Sequence, residues 1–111
     1  MSDTRQQLLD NVLAVVAELE GDLSEVYAED GEEPTVLDWL QDQLSIESYT
    51  TSSRGEYLGA EVLVTCGGPD IRVHTRRSVV VGYWGSDRIE RGYTDEIGLN
   101  EMLADHWECI K

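Results

Sequence analysis

The sequence predicts an α+β fold, with an antiparallel four-stranded meander sheet packed by two N-terminal helices and one C-terminal helix. Three observations support this class. Apolar residues recur at helical spacing near both ends of the chain, strand-like runs occupy the middle, and turn-forming residues separate these runs. A chain of 111 residues has the usual size of one domain, so we expect a single domain over residues 1–111.

The N-terminal third contains two amphipathic helical patterns. The first covers about residues 4–20, where apolar side chains recur at spacings of three and four: Leu8, Leu9, Val12, Leu13, Val16 and Leu19. Gly21 then either bends this helix or ends it, and we favour an interruption. The second pattern covers about residues 34–44, where Thr35 and Asp38 have the spacing of a capping box.

Four runs with strand-like composition follow, over about residues 46–51, 56–66, 71–76 and 79–84. Two glycines and a proline form a tight turn between the second and third runs. If residues 66 and 71 face each other, Glu61 lies opposite Arg76, and this pair of opposite charges supports the register. Residues 85–93 are expected to form a connector. A final helix is expected over about residues 95–110, capped by Thr94 or Asp95.

No motif with a decisive chemical meaning occurs in the chain, and we expect neither catalysis nor a bound cofactor or metal. Cys66 and His74 supply the residue types of a thiol nucleophile and its base, but the predicted register turns them to opposite faces. Cys66 and Cys109 are therefore expected to be buried structural residues. His74 and His106 are expected to be packed rather than metal-bound. A small Cys- or metal-dependent hydrolase is the alternative from the enzyme class.

The chain is strongly acidic, with 23 Asp and Glu against 8 Lys and Arg and a formal net charge of −15. Such a charge repels nucleic acid and anionic membranes, and the apolar runs are too short to span a bilayer. We therefore expect a cytoplasmic protein that binds a protein partner and contacts neither nucleic acid nor membrane directly. Residues 1–33 hold ten acids and one base, whereas residues 62–92 hold three acids and five bases.

The acids of the N-terminal segment form one candidate partner-binding surface. They present carboxylates where a nucleic-acid-binding protein expects phosphates, which would make the chain an acidic nucleic-acid mimic or inhibitor. The same acids are also typical of a solvated surface that keeps a small protein in solution. The residues concerned are Glu18, Asp22, Glu25, Glu29, Asp30, Glu32 and Glu33.

The last predicted strand provides a second candidate surface. If Trp84 points into the core, alternation places Val79, Val81 and Tyr83 on the opposite face, which also carries Arg72. Unless a helix or a second chain covers them, these side chains lie open to solvent. Aromatic and arginine side chains are enriched at the centres of protein interfaces. The sequence is therefore also compatible with a homodimer or a scaffold protein that uses this face.

Two motifs resemble those of small, acidic, uncharacterised proteins carried by bacterial phages and integrative elements. The motifs are Val64-Thr65-Cys66-Gly67-Gly68-Pro69 and Gly82-Tyr83-Trp84-Gly85-Ser86-Asp87-Arg88, and the similarity extends over about residues 36–105. The chain departs from the pattern at His74, where those proteins carry an acid, and at Ser78, where they often carry glycine. The resemblance implies a mobile-element setting, in which small acidic proteins often block host defence or transcription proteins.

Overall fold

The computed structural model describes residues 2–24, 26 and 33–110, with side chains from residue 4 onward. Within these residues the protein has an α+β fold with three helices and one five-stranded antiparallel sheet. The elements are α1 (Ser2–Leu19), α2 (Val36–Gln41), β1 (Ser45–Thr51), β2 (Tyr57–Thr65), β3 (Asp70–His74), β4 (Val79–Trp84), β5 (Asp87–Gly92) and α3 (Leu99–Ile110). The strands lie side by side in chain order, so the sheet is a meander. The predicted class and the antiparallel meander are confirmed.

The sheet has one strand more than the sequence predicted, and the expectation of a connector over residues 85–93 was wrong. β5 pairs with β4 along its whole length. The two strands are joined by the two-residue turn Gly85-Ser86, in which Gly85 adopts a positive φ of 62°. β5 was missed because Ile89 is its single buried residue, so the strand lacks an apolar run. Its charged side chains suit an edge strand, where charge discourages pairing with other chains.

A glycine with positive φ follows the end of α1, and a side-chain cap marks the start of α2. α1 ends at Leu19, and Gly21 adopts a φ of 117°, so the helix does not bend through Gly21. α2 is shorter than predicted and covers only Val36–Gln41. Thr35 is its N-cap, and the predicted capping box with Asp38 is present.

α3 begins at Leu99, later than the predicted start near residue 95. The Asp95 carboxylate accepts hydrogen bonds from the backbone N–H groups of Gly98, Leu99 and Asn100 at 3.0, 2.9 and 2.8 Å. Asp95 therefore satisfies the free donors of the helix N-terminus, but from the preceding loop. Gly98 has a φ of 80°, which a right-handed helix excludes, and this explains the later start.

The strand register differs from the prediction. His74 lies opposite Glu61, and the expected pairing of Glu61 with Arg76 was wrong. A register shift between Leu63 and Thr65 inserts an extra residue into β2, which displaces the pairing beyond it. Such a bulge leaves no clear trace in the alternation of apolar residues.

Two helices cover one face of the sheet, which we call the inner face. α1 packs on β4 and β5, and α3 packs on β2. Gly82 allows the close approach of α1, since a Cβ atom there would lie 2.6 Å from Val12 Cγ2 and 2.8 Å from Leu8 Cδ1. The core between the helices and the inner face includes Leu8, Val12, Leu19, Trp39, Val62, Ile71, Val73, Val80, Leu99 and Leu103.

Candidate functional site

The opposite face of the sheet, the outer face, is not packed by any of the three helices in the described part of the chain. The register places Leu63, Arg72, Val81 and Glu90 side by side from β2 to β5. Leu63 and Val81 are only 8% and 1% exposed, yet neither belongs to the inner core. The outer face therefore has its own shallow packing layer, in which apolar and charged residues alternate.

Arg72 is the centre of a charged network on the outer face. Its guanidinium donates to Asp70 Oδ1 and Oδ2 at 2.9 and 3.2 Å, to Glu61 Oε2 at 2.9 Å and to Glu47 Oε1 at 3.4 Å. The bonds with Asp70, and after them the bond with Glu61, raise the pKa of Arg72 above its usual value. His74 Nδ1 also lies 3.2 Å from Glu61 Oε1. The carboxylates thus hold one arginine in a single orientation.

A second charged cluster joins β4, β5 and the turn before β4. Glu90 Oε1 accepts hydrogen bonds from Arg77 at 2.8 Å and from Arg88 at 3.0 Å. Loss of hydration raises the pKa of Glu90, but the bonds from Arg77 and Arg88 together outweigh it and lower the pKa overall. The guanidinium carbon of Arg88 lies 5.8 Å from the ring centre of Tyr83, within cation–π range. This contact orients Tyr83, whose side chain is 39% exposed.

The structure places the predicted residues of the second surface on the outer face, but not all of them are open. Tyr83 is exposed and Val79 is half-buried, whereas Val81 is buried. Val81 lies between Arg72 and Glu90 in the register, and the aliphatic stems of such side chains can cover a neighbouring apolar residue. Tyr83 is therefore the exposed aromatic anchor of this face.

Sequence reasoning missed several members of these networks. A strand that carries Arg88 and Glu90 could have been predicted, since these charged residues alternate with Ile89 after a two-residue turn. Asp70 was missed because the third strand was predicted to begin at residue 71, whereas β3 begins at Asp70, which shares a face with Arg72 two residues further on.

The structure describes three of the seven acidic candidates, and they differ in their contacts. Glu18 Oε1 accepts a 2.8 Å hydrogen bond from the indole Nε1–H of Trp39 and so links α1 to α2. Asp22 Oδ1 accepts a 2.7 Å bond from the Ser24 hydroxyl, which lowers the pKa of Asp22. Glu33 is exposed. Four further candidates, Glu25, Glu29, Asp30 and Glu32, lie outside the described residues.

Both cysteines are more exposed than the sequence predicted, and each histidine has a polar partner. Cys66 and Cys109 are both exposed, so the expectation that they are buried was wrong. His74 lies beside Glu61, and His106 is exposed but hydrogen-bonds the hydroxyl of Tyr49. Among the residues described, no three His, Cys, Asp or Glu side chains are grouped as a metal site requires.

Comparison of the chain with protein-family models, with curated proteins and with solved structures finds no match. No helix in the described ranges combines the length and the apolar character needed to cross a membrane. Functional conclusions therefore rest on the outer face and on the charge of the chain.

Proposed function

We propose that this chain is a non-catalytic interaction protein of the mobile-element type, located in the cytoplasm, which binds a host or phage protein through the outer face. The observation that carries the proposal is the outer face itself, which no described helix covers. An antiparallel sheet can leave one face in water. In this protein that face also holds an exposed tyrosine and three arginines in fixed orientations.

Charge on the outer face is nearly balanced, in contrast to the chain as a whole. The arginines are matched by carboxylates on neighbouring strands, and the set comprises Arg72, Arg77 and Arg88 with Glu47, Glu61, Asp70 and Glu90. A protein can therefore approach this face with little of the repulsion that a net charge of −15 creates elsewhere. Because ion pairs already orient these side chains, binding removes less conformational freedom from them.

The mobile-element setting rests on the resemblance of two motifs, both of which lie at turns between strands. One motif forms the end of β2 and the β2–β3 turn, and the other spans the end of β4 and the start of β5. Ser78, where the resembling proteins often carry glycine, adopts a positive φ of 54°. Glycine adopts this conformation at low cost, which fits the resemblance.

The proposal assigns no catalytic step, and the spacing of Cys66 and His74 supports this. Cys66 lies in the β2–β3 turn, whereas His74 lies opposite Glu61, five positions back along β2. At the rise of a β-strand, this spacing separates the two residues by roughly 15 Å. A thiolate and its base must lie within hydrogen-bonding reach.

Acidic mimicry of nucleic acid is the second candidate function, favoured by the net charge of −15 and by the ten acids among residues 1–33. The partner would then be a nucleic-acid-binding protein, whose basic surface would meet Glu33 and the acids that precede it. Such binding should weaken steeply with added salt. A homodimer through the outer face is a third arrangement, and it is tested by the same outer-face variant.

Affinity capture from a bacterial host lysate separates these functions. The baits are the wild type, Tyr83→Glu, Leu37→Glu and a variant in which Glu25, Glu29, Asp30, Glu32 and Glu33 are neutralised together. Leu37 is a matched control because its side chain is also exposed, at 46%, but lies on α2.

Outer-face binding predicts that only Tyr83→Glu loses the partner. Loss confined to the five-acid variant would contradict outer-face binding and support mimicry. A wild-type dimer in sedimentation velocity that Tyr83→Glu dissociates would identify the homodimer instead.

A further inference from the structure

A small cavity opens on the outer face beside the β3–β4 turn. Its volume is about 200 Å³. Its walls include Ser48 and Thr50 from β1, Glu61 and His74 from the central strands, and Arg76 and Arg77 from the turn. Two arginines thus meet at one cavity in a chain that has only 8 Lys and Arg against 23 acids.

Buried contacts fix the turn that carries these arginines. Gly59 lets the Arg76 backbone approach β2, since a Cβ atom at residue 59 would lie 2.5 Å from Arg76 Cβ. Thr75 is buried, and its Oγ1 accepts a 2.8 Å bond from the Ala60 N–H while its own N–H donates to the Ala60 carbonyl at 2.9 Å. The Tyr57 hydroxyl bonds to the same Oγ1 at 3.1 Å. The core therefore sets the position of Arg76.

The existing ion pairs leave Arg76 available. Glu61 already accepts a hydrogen bond from Arg72 at 2.9 Å, and Arg77 donates to Glu90 at 2.8 Å. Arg76 makes no ion pair with any residue that the structure describes. An anion in the cavity would pair with Arg76 without breaking an ion pair of the protein.

We propose that this cavity binds the phosphate group of a small molecule. The guanidinium of Arg76 supplies charge-assisted donors, and the hydroxyls of Ser48 and Thr50 supply neutral donors from β1. Arg77 adds positive charge at the rim, although its guanidinium is also bound to Glu90. A phosphate group presents three acceptor oxygens in different directions, which suits donors arriving from two sides of the cavity better than a planar carboxylate does.

The size of the cavity and the charge of the chain restrict the ligand to a small molecule. A volume of about 200 Å³ has room for a phosphate group with a small organic substituent, but not for a polymer. The net charge of −15 repels a polyanion such as nucleic acid. A single phosphate beside Arg76 is screened from distant carboxylates, because the Debye length is about 8 Å at physiological ionic strength. The carboxylate in the cavity wall, that of Glu61, is already hydrogen-bonded to Arg72.

The test is an amide NMR titration of the whole chain with inorganic phosphate at constant ionic strength, with chloride as the exchanged anion. We expect saturable shifts at the amides of Thr50, His74 and Arg76. Arg76→Gln should weaken binding about tenfold or more, the change expected for one lost charge-assisted hydrogen bond. Arg91→Gln is the matched control, since Arg91 is also exposed but lies on β5 away from the cavity. It should leave the affinity unchanged.

Two outcomes would overturn the proposal. One is the lack of any saturable shift in the wild type. The other is an equal loss of phosphate affinity in Arg76→Gln and Arg91→Gln, which would show that only the overall charge of the protein matters. The amide spectrum of unliganded Arg76→Gln shows whether the variant is folded, and Ser48→Ala with Thr50→Ala provides a second weakened variant that keeps the arginine. A parallel titration with phenyl phosphate shows which kind of ligand the cavity prefers. Tighter binding of phenyl phosphate than of inorganic phosphate would identify an organic monoester as the ligand, and equal binding would identify free phosphate.

Discussion

The backbone of Arg76 packs directly on Gly59, and a Cβ atom at residue 59 would lie 2.5 Å from the Cβ atom of Arg76 and 3.0 Å from its backbone nitrogen. The contact joins the turn after β3 to the first part of β2. It involves backbone rather than the end of a flexible side chain, so the neighbouring turn must move if residue 59 gains a side chain.

Gly59→Ala should therefore destabilise the protein by about 1–3 kcal/mol, the usual cost of forcing an extra methyl group into a packed site. Urea unfolding followed by circular dichroism gives this value. Gly92→Ala is the control, because a Cβ atom there would meet only the Ser78 carbonyl oxygen, at 3.8 Å. Equal stability of the two variants would show that the turn yields easily at Arg76.

Most elements of this fold could be predicted because local patterns specify them. The apolar spacing that ends at Leu19 and the capping box of Thr35 with Asp38 each depend on residues close in sequence. β5 was not predicted because Ile89 is its single buried residue, so the charges around Ile89 resemble a loop. The strand register depends on a bulge in β2, which no periodic pattern specifies.

Asp95→Ala should destabilise α3 and, with it, the core. The carboxylate accepts three backbone hydrogen bonds at the start of the helix, and loss of such a cap costs about 1–2 kcal/mol. Urea unfolding measures the difference. Asp95→Asn keeps an acceptor oxygen and should lose less stability than Asp95→Ala. An unchanged midpoint in Asp95→Ala would mean that water replaces the carboxylate without cost.

Arg77→Gln should raise the pKa of Glu90 toward its ordinary value, because one of two hydrogen-bond donors to the carboxylate is removed. Carbon-detected NMR of the Glu90 carboxyl during a pH titration measures this change. The folded pKa of Glu90 lies below its unfolded value, so its ion pairs stabilise the protein above the unfolded pKa. That contribution is lost as pH falls through the folded pKa.

Arg91→Gln is the control for this titration. Arg91 donates to the backbone carbonyl of Glu90 rather than to its carboxylate, so this variant should leave the pKa of Glu90 near that of the wild type. Equal shifts in Arg77→Gln and Arg91→Gln would indicate a general charge effect in place of a specific bond.

Tyr93 should make the protein less stable at alkaline pH. Burial is the main cause that raises the pKa of Tyr93, and the charge of Asp95 adds to it. The folded state therefore keeps the phenol proton longer than the unfolded state. The stabilising contribution is complete below the unfolded pKa, which is about 10, and is lost as pH rises from there toward the folded pKa.

Urea unfolding at a series of pH values from neutral to alkaline measures this loss. Tyr93→Phe should flatten the alkaline fall in stability, although the raised pKa values of Tyr49 and Tyr57 leave part of it. Tyr83→Phe removes an exposed tyrosine instead and serves as the comparison. An alkaline fall that Tyr93→Phe leaves unchanged would contradict the role of Tyr93.

The candidate site could be predicted only in part. Alternation along β4 correctly placed Val79, Val81 and Tyr83 on one face with Arg72. The ion pairs of Arg72 could not be predicted, because residues from three strands meet there and the register decides which of them touch. The burial of Val81 could not be predicted either, because it depends on which residues of β3 and β5 lie beside it.

The most direct test of the outer face as a protein-binding surface is the dissociation constant of a captured partner, measured by calorimetry for the wild type, Tyr83→Glu and Leu37→Glu. Tyr83→Glu removes the exposed aromatic ring and places a carboxylate opposite Asp70, so we expect binding to weaken about tenfold or more. Leu37→Glu should bind like the wild type. Equal affinity of all three proteins would contradict the account.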